Sequence, residues 1–334
     1  MSKPLTLAIA GATGEVGKAA LEALDALELP LAGVRLLASP RSAGQELEVG
    51  GEPVKVVALS EGALRGCDVV VLCTPAEVSR AWAPKARAAG CAVVDVSPAY
   101  RADAAVPLVV PAVNGASLAS LARPAMVATP SPLATALALV LAPLGSAVRA
   151  VVATHLAPAS GEGRAGVAEL EKQSRDLLAL REPEPASRFP HRLAFNAVPQ
   201  AGALDASGAS EAERGAEAEL RRVLGAPGLP VHATVVRVPV FYGDLVSVHL
   251  ETDGSLDAAA VRERLRAAKG VKVVDDPATS VYPMPMLASQ EDAVLVGRVR
   301  ASGPGSIDLV AVLEGPRRGA ATTALELARR LAAD

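Results

Sequence analysis

Gly11-Ala12-Thr13-Gly14-Glu15-Val16-Gly17 stands between an apolar strand-like run and a helical pattern, the setting that a dinucleotide-binding glycine turn requires. Glycines there let the backbone approach a pyrophosphate, and the first N–H groups of the helix meet its charge. Near the end of the second strand-like run the chain reads Ala38-Ser39-Pro40-Arg41-Ser42-Ala43-Gly44. No carboxylate stands there to accept from a ribose 2′-hydroxyl, whereas one guanidinium and two hydroxyls suit a 2′-phosphate, which favours NADP over NAD. With Thr74, which ends another strand-like run, the candidate cofactor residues are Gly11, Thr13, Gly14, Glu15, Val16, Gly17, Ser39, Arg41, Ser42 and Thr74.

Nucleophiles are scarce. Cys67, Cys73 and Cys91 fall in or beside apolar strand-like runs, with neither disulfide-framework nor zinc spacing. Cys73, at the C-terminal end of its strand, should lie near a cofactor crevice, although small buried cysteines are common in such strands. Ser131 precedes Pro132, and the pair reads as an N-cap followed by proline at the first helical position.

The elements that must position these residues form an α/β pattern. Short β-branched runs alternate with helical ones, which argues for a parallel sheet with crossover helices, a Rossmann-like unit. Strands are expected at Leu5–Ala10, Val34–Ala38, Val54–Ala58, Val69–Thr74, Ala92–Val96 and Leu108–Val110, with helices at Glu15–Leu27 and Ala76–Ala89. Beyond Val127, strands are expected at Val151–His155, Thr234–Val240, Phe241–Leu250 and Ile307–Leu313. Helices are expected at Gly166–Leu180, Ser210–Leu224 and Gly319–Ala333. A formal net charge of −3 with interspersed signs gives no basic footprint for nucleic acid. No apolar run reaches the roughly 18 residues that span a bilayer, no signal peptide is evident, and the cysteine usage suits a reducing cytoplasm.

Colinear motifs narrow the reading. They include Ala83-Pro84-Lys85, Val94-Asp95-Val96-Ser97-Pro98-Ala99-Tyr100-Arg101 and Ser160-Gly161-Glu162-Gly163. Further along come Ala194-Phe195-Asn196-Ala197-Val198-Pro199-Gln200, Arg237-Val238-Pro239-Val240-Phe241-Tyr242-Gly243 and Asp292-Ala293-Val294-Leu295-Val296-Gly297-Arg298. In this order they resemble the aspartate-semialdehyde dehydrogenases over nearly the whole chain. The resemblance implies a nucleotide domain over residues 1–127, completed by a C-terminal helix at about 316–334, and an α+β substrate and dimerisation domain over 128–315. It also implies a homodimer and a reversible NADP- and phosphate-dependent oxidation of aspartate semialdehyde to aspartyl phosphate through a cysteine thioester. Arg101 matches the family's phosphate arginine, Arg237 the arginine on the substrate carboxylate, and Glu219 the carboxylate on the substrate amine. For Glu219 a solvated helix face is an equally good reading.

The catalytic positions depart from the family together. Its thiol falls on Pro132 and its histidine base on Asp244. No glutamine occurs in His155-Leu156-Ala157-Pro158-Ala159, the family's glutamate is Ala112, and its Asp-Asn pair reads Glu314-Gly315. A chain that keeps the scaffold and loses the thiol resembles the Usg-type members. This implies an NADP-binding protein that is catalytically silent or repurposed for another small-molecule ligand. His155 and Asp244 can pair as a base and its orienter, but without a nucleophile they make at most a binding site. Two alternatives stand: a simple hydride transfer to a small carbonyl acid held by Arg237, with Asp244 or Tyr242 as proton source, and an interaction module that binds no nucleotide.

Overall fold

The computed structural model describes residues 4–27 and 29–333. The chain divides into two compact units, Met1–Ser131 with Gly319–Asp334, and Pro132–Arg318.

In the first unit, β1 (Leu5–Ala10) feeds α1 (Glu15–Ala26) and then β2 (Leu31–Ala38). A two-stranded antiparallel ribbon, β3 (Glu46–Val49) and β4 (Glu52–Lys55), follows, turning at Gly50 and Gly51, both at positive φ. The single strand expected at Val54–Ala58 is thus divided: its first half closes the ribbon, and only β5 (Val57–Ala58) joins the main sheet beside β2. After the short helix α2 (Glu61–Leu64) come β6 (Val69–Leu72), α3 (Ala76–Ala88), β7 (Ala92–Asp95), the one-turn α4 (Pro111–Asn114) and β8 (Met126–Ala128). Leu108 makes only an isolated bridge to Ala128, so no strand forms at Leu108–Val110.

The sheet order is β5-β2-β1-β6-β7-β8, all parallel, the order of a doubly wound dinucleotide fold whose switch point lies between β1 and β6. Strands of such a sheet are covered on both faces and therefore read as unbroken apolar runs. Val69, Val70, Val71 and Leu72 are all buried. Part of that cover is α9 (Thr323–Ala333), which packs on β1, β6 and β7 through Ala324, Leu325, Ala328 and Leu331.

The second unit opens with α5 (Pro132–Leu141), buried from Leu133 through Leu141, as befits a helix apolar on every side. Its sheet has the order β10-β9-β11-β14-β13-β12, built from β9 (Val148–Ala157), β10 (Val231–Arg237), β11 (Asp244–Thr252), β12 (Val271–Val273), β13 (Val294–Gly303) and β14 (Ser306–Leu313). It is mixed: β9, β11, β14 and β13 run antiparallel, while β10 and β12 join parallel at the edges. Along β11 the even-numbered residues Asp244, Val246, Val248 and Leu250 are buried, while Ser247 and Glu251 are exposed. This is the alternation of a sheet covered on one face.

Three helices complete the unit, α6 (Gly163–Leu178), α7 (Glu211–Leu224) and α8 (Ala258–Arg266). Helix α7 carries a Ser210–Glu213 capping box and ends at Gly225 in the left-handed region. Glu213 and Glu217 accept from the N–H groups of Val235 and Ala233, which secures the outer edge of β10 to the helix.

Candidate functional site

In the first unit, the turn after β1 is built by two glycines that the backbone itself demands. Gly11 lies at φ +82°, and a Cβ there would sit 2.1 Å from the carbonyl oxygen of Cys73; one at Gly17 would sit 2.2 Å from that of Gly11. Gly14 differs. Its φ is −82°, open to any residue, and only the Gly11 carbonyl, at 3.3 Å, lies within 4 Å of where its Cβ would be. The first two glycines therefore serve the close strand–helix packing, and the third leaves the N-terminus of α1 open to approach. A pyrophosphate fits that division of labour.

Thr13, Gly14, Glu15 and Val16 are half-buried around this turn. Thr74 follows β6, across the switch point from Gly11, and its hydroxyl shares a 2.9 Å hydrogen bond with Ser79. Ser39, Arg41 and Ser42 form a short 3₁₀ turn just beyond β2, with Ser39 and Arg41 exposed. An anion beside the second strand would meet this turn.

Asp95, at the end of β7, is buried and accepts from the Ser97 hydroxyl at 2.9 Å. Desolvation raises its pKa, against the lowering effect of Ser79 and Ser97. Desolvation first, and the Asp95 charge second, push the Cys73 thiol up to about 12. A thiol so perturbed stays protonated at neutral pH and is a poor nucleophile. Arg101 gives Nε to the Thr129 carbonyl at 3.2 Å and Nη2 to the Val96 carbonyl at 2.9 Å. It braces the loop after β7.

In the second unit, Pro132, Asp244 and Gly315 come together. A Cβ at Gly315 would lie 2.5 Å from Asp244 Oδ2 and 3.4 Å from Pro132 Cγ. Asp244 thus fills the space that a side chain at 315 needs. Its other oxygen, Oδ1, lies 2.7 Å from His155 Nε2, and the two residues are 5% and 7% exposed. The pairing register sets Leu245 opposite Leu156, so His155 and Asp244 are diagonal neighbours on the covered face. An ionised carboxylate only accepts, so Nε2 carries the hydrogen. The result is a closed dyad beside a proline, with no thiol.

Arg237 ends β10 and opens onto a cleft of about 290 Å³ whose lining includes Glu162, Arg188, Phe189, Gln200 and Gly202. Its Nη1 donates to the Pro158 carbonyl at 3.1 Å and its Nη2 to Glu162 Oε1 at 2.5 Å. Glu219 does not line this cleft. It is 7% exposed on α7, with its carboxylate against Gly215, which overturns the solvated-face reading. Glu162 is the residue the sequence reading missed. Its signal was an acid inside Ser160-Gly161-Glu162-Gly163, where a loop between strand and helix can present a side chain to a site.

Comparison with known proteins agrees with both halves. Residues 6–121 match the family model described as semialdehyde dehydrogenase, NAD binding domain, and residues 138–314 match semialdehyde dehydrogenase, dimerisation domain. The chain is 36% identical to an aspartate-semialdehyde dehydrogenase of Aquifex aeolicus, covering 97% of each chain. It is 39% identical to a USG-1 protein homolog of Pseudomonas aeruginosa, covering 99% of this chain and 98% of that one. Among solved structures, aspartate semialdehyde dehydrogenase II from Vibrio cholerae superposes with a TM-score of 0.92 at 34% identity, covering 98% of each. A probable aspartate-semialdehyde dehydrogenase from P. aeruginosa superposes with a TM-score of 0.90 at 38% identity, covering 97% of each.

Proposed function

This chain belongs to the semialdehyde dehydrogenase family, and from that membership we propose that it is a Usg-type member that binds NADP without performing phosphorylating aldehyde oxidation. The observation that supports the reading is the close packing of Asp244 and Gly315 beside Pro132, the residue on which the resemblance sets the family's thiol. Thioester chemistry needs a nucleophile that attacks the aldehyde and later leaves as a thiolate. Proline supplies none, Ser131 would give a poor leaving group, and Cys73 is held protonated.

Nucleotide binding has separate support. Gly14 keeps the start of α1 open, and Arg41 with Ser39 and Ser42 stands beyond β2, where a 2′-phosphate would meet a guanidinium. When bound, a nicotinamide supplies hydride transfer. The protein's own part is to hold the pyrophosphate at the glycine turn and a small molecule in the cleft beside Arg237. Three free cysteines fit a protein of the reducing cytoplasm. No described helix is long and apolar enough to cross a membrane. Self-association would use the part of the second sheet around Val152, which is exposed, and Leu156, which is half-buried.

The test is to titrate the purified chain with NADPH and NADH by calorimetry, then assay it at high concentration with aspartate semialdehyde, phosphate and NADP. Saturable NADPH binding that Arg41→Ala weakens by about ten-fold, with no turnover, is expected. Phosphate-dependent turnover above background would overturn the silent-catalyst reading; absence of nucleotide binding would overturn the cofactor reading.

A further inference from the structure

We propose that Glu162 is a built-in carboxylate ligand of Arg237, and that it determines specificity by excluding small external carboxylates from the cleft. Arg237 is anchored. Its side chain is 11% exposed, Nη1 is tied to the Pro158 carbonyl, and a Cβ at Gly161 would lie 2.1 Å from Nη1, so the guanidinium rests directly on glycine backbone. The loop beneath it is stitched to the segment after β10 by Ala159 N to Val240 O at 2.8 Å and Ser160 N to Phe241 O at 3.0 Å.

Glu162 is the movable partner. Its side chain is 35% exposed, three times the value of Arg237 (35 against 11), and its carboxylate has solvent to turn into. Swung away, it would leave Nη2 facing a cleft of about 290 Å³ that also holds Arg188 and Gln200, a volume suited to a small polar molecule. A guanidinium fork with one arm held by backbone and the other turned to a cavity is a receptor for a carboxylate. In this chain the carboxylate is supplied from within.

Tethering gives Glu162 its advantage. A group on a short flexible arm acts at an effective concentration on the order of millimolar or more, so a free carboxylate must exceed that level to displace it. The pocket would then prefer ligands without a carboxylate, or with a second anionic group that engages Arg188. Because this inference rests on reading Arg237 as a carboxylate receptor, the experiment has to separate the two.

The full-length chain and its Glu162→Gln, Glu162→Ala and Glu162→Ala/Arg237→Ala variants are titrated with succinate by calorimetry, with thermal melting as a check on folding. Glu162→Gln keeps the size and a polar end, so it serves if the alanine variant is unstable. Succinate should bind the single variants at least about ten-fold more tightly than the wild type, and the double variant should lose that gain. Equal affinity for wild type and single variants would overturn the role of Glu162 and leave Arg237 as a receptor. No binding to any folded variant would overturn both.

Discussion

Replacing His155 by leucine should destabilise this protein far more than replacing both His155 and Asp244. The pair is 2.7 Å apart, with side chains 9% and 7% exposed, so neither group has water to turn to. His155→Leu leaves a buried carboxylate without its donor, a loss of about 3–5 kcal/mol. Asp244→Leu leaves a buried N–H without its acceptor, at about 1–3 kcal/mol. Replacing both with apolar groups removes the stranded partner, and the double variant should lie within about 1–2 kcal/mol of wild type. Single effects of roughly 4 and 2 kcal/mol against a double effect near 1 give a coupling of about 5 kcal/mol, far above the ~0.5 kcal/mol within which independent sites add. Equilibrium urea unfolding reads this directly. With a slope near 2 kcal/mol per molar, His155→Leu should lower the midpoint by about 2 M, and the double variant should recover most of it. Additive single effects would refute the closed dyad and leave Asp244 open to the proton-source role weighed from the sequence.

The remaining predictions concern the thiols and the assembly. Burial raises the pKa of Cys67, that of Cys91 to about 11 and that of Cys73 to about 12, all from an ordinary value of 9.0, so no native thiol should react quickly with an alkylating probe near pH 8. All three should react in denaturant, and one fast native thiol would contradict the raised pKa of that thiol. The unfolded chain gives up these protons first, so their contribution to stability is complete below pH 9.0 and declines as pH rises toward about 12; the urea midpoint should fall across that window. Light scattering should give about twice the 33.8 kDa chain mass. Val152→Arg, placing a charge on this exposed part of the second sheet and repeating it by symmetry, should give monomers, and an unchanged dimer would move the interface elsewhere.

Much of the first unit was legible because its signals are local. A strand buried on both faces must be apolar throughout, and a glycine turn must directly join that strand to its helix, so Leu5–Ala10, Gly11–Gly17 and Val69–Leu72 declare themselves within short windows. The β3–β4 ribbon was missed although Val49-Gly50-Gly51-Glu52 carries a hairpin signal, because polar strands such as Glu46–Val49 lack a strong apolar pattern. The family resemblance was also present in residue order alone, and it is that order which sets the expected thiol and histidine on Pro132 and Asp244.

What the chain keeps from a reader of residues is pairing across distance. His155 and Asp244 stand 89 positions apart and meet because antiparallel register makes them diagonal on one face; a slip of one residue would turn either away. Glu162 and Arg237, 75 apart, meet because a strand end and a loop are held together by backbone hydrogen bonds. Glu219 has the sequence surroundings of a solvated helical acid, yet the packing of α7 buries it. Residue types along the chain determined which groups this protein has and the fold that carries them. Tertiary structure alone decided which charges neutralise each other, because that depends on register and burial, and neither is a property of any short stretch of sequence.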